Sequence, residues 1–189
     1  MKNYFLKKRV ITNIFIFLLV TTMISFKLFL VVLLLSLLIL YIYRKRTLSN
    51  VNNKDIELNS VFSPITGKVK KIAQADGKTI VSISPKIFGP LGVYMPFSGS
   101  IDESENSETV IYNKLGNRAT LSFSLGLFKD SNIWLRSGDL AKCSSNIGFL
   151  GFGGSINILL SDESKILIDK GQKVFAGQSL IAGFEVNNE

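Results

Sequence analysis

The chain has 189 residues, of which 47% are hydrophobic, and it carries a formal net charge of +8. This length suits one modest domain with additions. A single cysteine excludes an internal disulfide, and the absence of histidine excludes imidazole metal sites, phosphohistidine carriers and Ser-His or Cys-His nucleophile pairs.

The positive charge is concentrated around a hydrophobic N-terminal region. Eight of the 22 basic residues lie within residues 1–46, and no acid precedes Asp55, so the remaining 14 basic residues balance the 14 acids. Cations that flank apolar segments are typical of membrane proteins, whereas binding to DNA or RNA requires a basic surface. We therefore predict a membrane partner and no nucleic-acid partner.

Two apolar segments, residues 10–26 and 28–43, predict a membrane anchor within residues 1–50. Each segment is slightly shorter than the about 20 residues that a full span requires. Lys27 lies between the segments and would be costly at the bilayer centre. We therefore predict a transmembrane helical hairpin with Lys27 at its tip and both basic ends on the cytoplasmic face. One tilted span after an interfacial helix is the alternative, and spanning or monotopic insertion stays open.

Residues 51–189 are predicted to form an all-β domain of the barrel-sandwich hybrid type. Glycine-containing turns separate short segments rich in β-branched residues. The domain opens on SPITGKV and closes on a G-x-x-V-x-x-G-x-x-L pattern from Gly171 to Leu180, a rhythm typical of barrel-sandwich hybrids. The predicted strands are residues 67–73, 78–84, 109–115, 119–126, 155–160 and 165–168.

Four motifs in this order resemble the phosphatidylserine decarboxylase family in its short bacterial form. They are SPITGKV (63–69), IFGPLGVYMPFSGSI (87–101), IGFLGFGGSINILL (147–160) and KGQKVFAGQSLIAGF (170–184). The resemblance implies a pyruvoyl-dependent decarboxylase of phosphatidylethanolamine biosynthesis. It also implies phosphatidylserine as the substrate and the bacterial inner membrane as the location.

The resemblance also assigns roles to single positions. In the family a serine becomes an N-terminal pyruvoyl group after the chain cuts itself before that serine, helped by a histidine base that an aspartate orients. The histidine position falls on Tyr94 and the aspartate position on Thr66. A phenol with a pKa of about 10 is a poor base at neutral pH, and threonine carries no negative charge. We therefore expect catalytic impairment, unless Lys68, Tyr94 or a neighbour supplies another base.

The register of the serine stays open. An ungapped alignment puts the serine position on Gly154, with Ser155 as the following residue, and the alternation of polar and apolar residues favours this register. The F-G-G-S pattern of other family branches instead makes Ser155 the pyruvoyl precursor and Gly154–Ser155 the cleaved bond. A pyruvoyl group is the expected cofactor only if the chain cuts itself, and no metal ion is expected.

A non-catalytic function is the alternative. The chain would then be a membrane-anchored binding or scaffold module for a lipid headgroup or a partner protein. A homo-oligomer or a complex with a partner subunit, including an active decarboxylase, is compatible with this function. An adaptor domain of the membrane-fusion or carrier type is a third hypothesis. An unbroken chain favours binding or scaffolding, and a two-chain product favours an enzyme.

Overall fold

The computed structural model describes two compact units, residues 1–46 and residues 47–189. The described part of the first unit is helical, and that of the second is built from antiparallel strands. The predicted combination of two N-terminal helices with a β-rich domain is therefore confirmed. The residues described are 8–24, 26–42, 59–75, 77–86, 89–103, 108–112, 116–124, 132–150, 154–161 and 164–184.

Two hydrophobic helices, α1 (Lys8–Ile24) and α2 (Phe26–Ile42), contact each other in the first unit. The side chains of Thr21 and Ser36 are buried. Their hydroxyls donate to backbone carbonyls three and four residues earlier, at 2.9 and 2.8 Å. Both polar groups therefore find their partners inside their own helix.

Two details of the predicted anchor differ from the structure. The sequence predicts Lys27 at the tip of a hairpin. In the structure α1 ends at Ile24 and α2 begins at Phe26, so Lys27 is the second residue of α2, and its side chain is exposed. The predicted transmembrane segments are not confirmed. Each helix has 17 residues, and none in the described part of the chain is both long and apolar enough to cross a membrane. Residue 43, the last residue of the second predicted segment, lies outside the described residues.

The strands described in the second unit pair antiparallel in three sheets. In chain order they are β1 Ser60–Phe62, β2 Gly67–Ala75, β3 Lys78–Pro85, β4 Gly92–Tyr94, β5 Gly99–Glu103, β6 Glu108–Tyr112, β7 Arg118–Ser124, β8 Asn132–Ile133, β9 Leu140–Ala141, β10 Asn146–Phe149, β11 Ser155–Ser161, β12 Ser164–Ile166, β13 Lys173–Val174 and β14 Leu180–Phe184. One sheet has the order β13-β2-β3-β11-β7-β6-β5-β9, and two smaller sheets have the orders β1-β14-β12 and β4-β10-β8.

All six predicted strands are present, as β2, β3, β6, β7, β11 and β12. The strands that the sequence did not indicate have two to five residues each. Strands this short do not show enough alternation of polar and apolar residues to be recognised. Their formation depends on pairing with distant segments.

The core lies on one face of the large sheet. Along β11, Ile156, Ile158 and Leu160 are buried and belong to the hydrophobic core, whereas the residues that alternate with them, Ser155, Asn157 and Leu159, are half-buried. This alternation is the one predicted from the sequence. It gives the large sheet an apolar inner face and a polar outer face.

The opening and closing segments of the β unit pair with each other. Ser63 donates its N–H to the carbonyl of Ser179 (2.9 Å) and accepts from the N–H of Gly177 (2.8 Å). Val69 forms two further backbone hydrogen bonds with residues 171–172, at 2.9 and 3.0 Å. The two ends of the domain are therefore joined through their main chains, next to the pairing of β13 with β2.

Gly67 provides a test of this packing. A Cβ atom at Gly67 would overlap the carbonyl of Ser84, whereas at Gly183 the nearest atom would be 3.7 Å away. We expect Gly67→Ala to lower the free energy of unfolding by about 1–3 kcal/mol, the usual cost of overpacking. Gly183→Ala, the matched control, should change it much less. Chemical denaturation of the full chain in detergent measures both, and equal losses would contradict the described packing.

Candidate functional site

Thr66 lies in the turn between β1 and β2 and contacts the closing segment. Its side chain is half-buried, and its Oγ1 accepts the backbone N–H of the buried Ala176 at 3.0 Å. In the same turn the hydroxyl of Ser63 donates to the carbonyl of Ile65 at 2.7 Å. Thr66 therefore satisfies a buried amide, whose unpaired form costs about 1–3 kcal/mol.

Tyr94 ends β4 and is only 4% exposed. Its N–H donates to the carbonyl of Pro64 at 2.8 Å, two residues before Thr66. The next residue, Met95, donates its N–H to Ser145 at 2.9 Å. The structure therefore brings the Tyr94 and Thr66 segments together, through a backbone hydrogen bond.

Asn146 is a site residue that sequence reasoning missed. It begins β10, directly opposite Tyr94. Its Nδ2 donates to the carbonyls of Val93 (3.0 Å) and Gly148 (3.1 Å), which fixes the orientation of the amide. Its Oδ1 is buried and has no hydrogen-bond partner within the described residues. Asn146 directly precedes the motif at residues 147–160 but is not part of it, so the motif gave no signal for this residue.

Gly154 is buried directly before β11, where a side chain would force its neighbours to shift. A Cβ atom there would be 2.9 Å from the carbonyl oxygen of Ser124 and 3.0 Å from Cδ1 of Leu150. Leu150 in turn donates its N–H to the carbonyl of Leu91 at 2.8 Å. Gly154 thus lies near the Leu91 end of the ladder between β4 and β10, whereas Tyr94 pairs at the opposite end.

Ser155 is the first residue of β11 and belongs to a polar row across the large sheet. It pairs with Ser124 of β7. Since Ile156 pairs with Ile83, Ser155 lies beside Ser84, the next residue of β3. Two lysines extend the row. Lys68 of β2 pairs with Ser84, and Lys173 of β13 pairs with Lys68.

A second polar row lies next to the first on the same face. Asn157 pairs with Ser82 and with Ser122, and the hydroxyl of Ser82 donates to Asn157 Oδ1 at 2.7 Å. Lys71 pairs with Ser82 from β2. The outer face thus presents hydroxyl, amide and ammonium groups, which can bind anions and polar headgroups.

The candidate residues fall into two places in the β unit. Thr66, Tyr94 and Asn146 surround the turn before β2, whereas Gly154 and Ser155 lie at the start of β11. Within the described residues, no three Cys, Asp or Glu side chains are grouped to hold a metal ion. The arrangement provides hydrogen-bonding groups at both places.

Comparison with known proteins identifies one family. The family model described as "Phosphatidylserine decarboxylase" matches residues 59–182, more than half of the chain. The phosphatidylserine decarboxylase proenzyme of Syntrophus aciditrophicus is 24% identical over 135 residues, which are 71% of this chain and 56% of that protein. The corresponding proenzyme of Solibacter usitatus is 27% identical over 135 residues, which are 70% of this chain and 57% of that protein.

The chain thus spans little more than half the length of these curated relatives. Among solved structures, glucose permease IIA from Mycoplasma capricolum is similar, with a TM-score of 0.47 and 14% identity, over 67% of this chain and 95% of that chain. The match to the family model covers the β unit from Asn59 to Ala182, including all four predicted site positions. The chain therefore belongs to the phosphatidylserine decarboxylase family.

Proposed function

We propose that this chain is a membrane-associated member of the family whose decarboxylase chemistry is impaired, so that it stays unbroken and forms no pyruvoyl group. The observation that carries the proposal is the hydrogen bond from the Ala176 N–H to Thr66 Oγ1, at 3.0 Å. It gives the residue at the aspartate position a structural role. That position also has no negative charge with which to orient a base.

The residues at the two catalytic positions do not replace the lost chemistry. Self-cleavage of this type requires a base that takes the serine proton and an acid that holds the base in place. A phenol titrates at about pH 10, and threonine does not titrate, so Tyr94 and Thr66 do not reproduce an imidazole–carboxylate pair. The 4% exposure of Tyr94 also limits its access to solvent protons.

Neither serine register suits the formation of a pyruvoyl group. In the first register Gly154 has no hydroxyl, and a side chain there would require Ser124 or Leu150 to shift. In the second register Ser155 has its hydroxyl but lies in the ladder between β11 and β7. The residues present therefore do not fit a pyruvoyl group made by the family's route.

The exposed apolar surface of the helices supports membrane association. Phe15, Phe17, Leu34 and Tyr41 are each 58–70% exposed, and a large exposed apolar patch marks a membrane or protein contact. The hydroxyls of Thr21 and Ser36 form hydrogen bonds within their own helices, which suits an apolar environment. We propose that residues 1–50 hold residues 51–189, a domain of barrel-sandwich type, at the cytoplasmic face of a bacterial inner membrane.

A binding function is the second candidate, and Asn146 supports it. The buried Oδ1 of Asn146 lies opposite Tyr94 and accepts no hydrogen bond within the described residues. A buried carbonyl without a donor is costly, and a ligand hydroxyl or ammonium would satisfy it. A non-catalytic module that binds a lipid headgroup or a partner protein would use this position.

The intact mass of the purified full chain tests the proposal. We expect a single unbroken species at 20.9 kDa, because Tyr94 and Thr66 do not supply the base and orienting acid that would activate the serine. The Ser155→Ala variant, the matched control, should be equally unbroken. Two fragments that meet at Gly154–Ser155 in the parent chain but not in the variant would contradict impairment.

Gly154→Ser tests the first register. Restoring the hydroxyl at this position should produce no cleavage, and the added side chain should lower the free energy of unfolding by about 1–3 kcal/mol, because it overpacks the site. Ser155→Gly, which removes a half-buried side chain from the neighbouring position, is the control for a general effect on β11. Cleavage of Gly154→Ser, measured by mass spectrometry, would show that a base is present after all.

A further inference from the structure

Two lysines face each other across neighbouring strands. Lys68 of β2 and Lys173 of β13 are directly opposite in the ladder, and both are exposed. Like charges in this position repel each other and destabilise the pair. Among the described residues neither lysine forms an ion pair with a carboxylate. The pair therefore presents a local positive charge that an external anion would neutralise.

The turn before Lys173 has a fixed shape. The N–H of Asp169 donates to Gln172 Oε1 at 3.0 Å, and the N–H of Gln172 donates to the carbonyl of Asp169 at 3.1 Å. Gly171 has a φ of +92°, which favours glycine. A Cβ at Gly171 would lie 3.8 Å from Cε of Lys68, so the stem of Lys68 runs along this turn.

Phe175 lies on the outer side of the same segment. It is 46% exposed, although Val174 and Ala176 on either side of it are buried. Its N–H donates to the hydroxyl of Ser179 at 2.9 Å, and its carbonyl accepts the N–H of Ser179 at 3.0 Å. This alternation puts Lys173 and Phe175 on one side and holds the aromatic ring outward.

We propose that this basic aromatic patch, defined as Lys68, Lys170, Lys173 and Phe175, docks the β unit onto the surface of a bilayer that contains anionic phospholipid. The three lysines and the neighbouring Asp169 give a net charge of +2. Lysines near an anionic leaflet bind its phosphates, and an exposed aromatic ring inserts at the headgroup level. A bilayer provides both the anion and the apolar layer, which a soluble anion does not.

This inference rests on the membrane association in the proposed function, and it specifies which surface of the β unit contacts the bilayer. Lys68 and Lys173 share their cross-strand row with Ser84 and Ser155. Neighbouring strands are about 4.8 Å apart, so Ser155 lies two strands from Lys68. A phosphate held by the lysines would therefore direct the headgroup of that lipid along the polar row towards Ser155.

Amide hydrogen exchange of the full chain in nanodiscs tests the docking. We compare discs of phosphatidylcholine with discs that also contain phosphatidylglycerol. Exchange of residues 170–176 should slow by roughly 30-fold in the anionic discs, about five-fold for each of the two facing lysines. The variant Lys68→Gln/Lys173→Gln should lose this difference, and Phe175→Ala should reduce it.

Matched control variants distinguish docking through this patch from the general effect of losing two positive charges or an exposed apolar side chain elsewhere. Lys78→Gln/Lys142→Gln removes the same charge elsewhere, and Leu140→Ala removes a side chain that is 84% exposed, so both should behave as the parent chain. Unchanged exchange in β3 and β11 shows that each variant is folded.

Three results would overturn the docking proposal: equal exchange in both discs, retained protection in Lys68→Gln/Lys173→Gln, or the same protection from inorganic phosphate with neutral discs. The last result would indicate a site for a free anion. None of these readouts requires cleavage at Gly154–Ser155. Failure of docking with an unbroken chain therefore leaves the proposed impairment standing, whereas a cleaved chain overturns impairment alone.

Discussion

The pairing of the opening segment with the closing segment is the interaction on which the β unit depends. Ser63 and Val69 from one end form backbone hydrogen bonds with residues 171–179 from the other end. Pairing between segments more than 100 residues apart has a large entropic cost of loop closure. The hydrogen bond between Thr66 and Ala176 adds a side-chain link at the same junction. The turn before β2, the pairing of β13 with β2 and the position of Thr66 therefore depend on one set of contacts.

This junction gives a structural basis for the proposal that the family scaffold folds here without the family's chemistry. At Thr66, which we assign by resemblance to the position of the orienting carboxylate, a hydroxyl accepts a buried backbone N–H. Tyr94 beside it is buried and joined to Pro64 through its backbone. These contacts need hydrogen-bonding groups and apolar volume, and they do not need a titrating pair. Folding and binding would therefore continue under the proposed loss of catalysis.

The same junction also shapes the surface proposed to face the bilayer. The pairing of β13 with β2 sets Lys173 opposite Lys68, and the turn after β13 turns Phe175 outward. The polar row then continues through Ser84 to Ser155 on the large sheet. The surface proposed to contact the membrane and the polar row proposed to bind the headgroup would thus lie on one face of the large sheet. This arrangement is compatible with both a monotopic and a spanning anchor.

The sequence predicted the fold where local patterns were strong. Alternation identified β2, β3, β7 and β11, and the glycine motifs indicated that the two ends of the domain are related. Short strands such as β4 and β10 could not be predicted, because their residues carry no period and pair with distant partners. The sequence put the break between the helices at Lys27, the charged residue between the two apolar segments, whereas α2 already begins at Phe26. Asn146 was missed because the burial of its side-chain oxygen depends on contacts that form only in the folded protein.

The proposed impairment depends most on the structural role of Thr66, and amide hydrogen exchange of Ala176 tests this role directly. If Thr66 Oγ1 holds this amide, Thr66→Ala should accelerate its exchange by roughly five-fold, since a net hydrogen bond contributes about 1 kcal/mol. Thr66→Asp, which keeps an acceptor oxygen, should preserve the protection. Unchanged exchange of Ala176 in Thr66→Ala would contradict the account, because position 66 would then be free to serve chemistry.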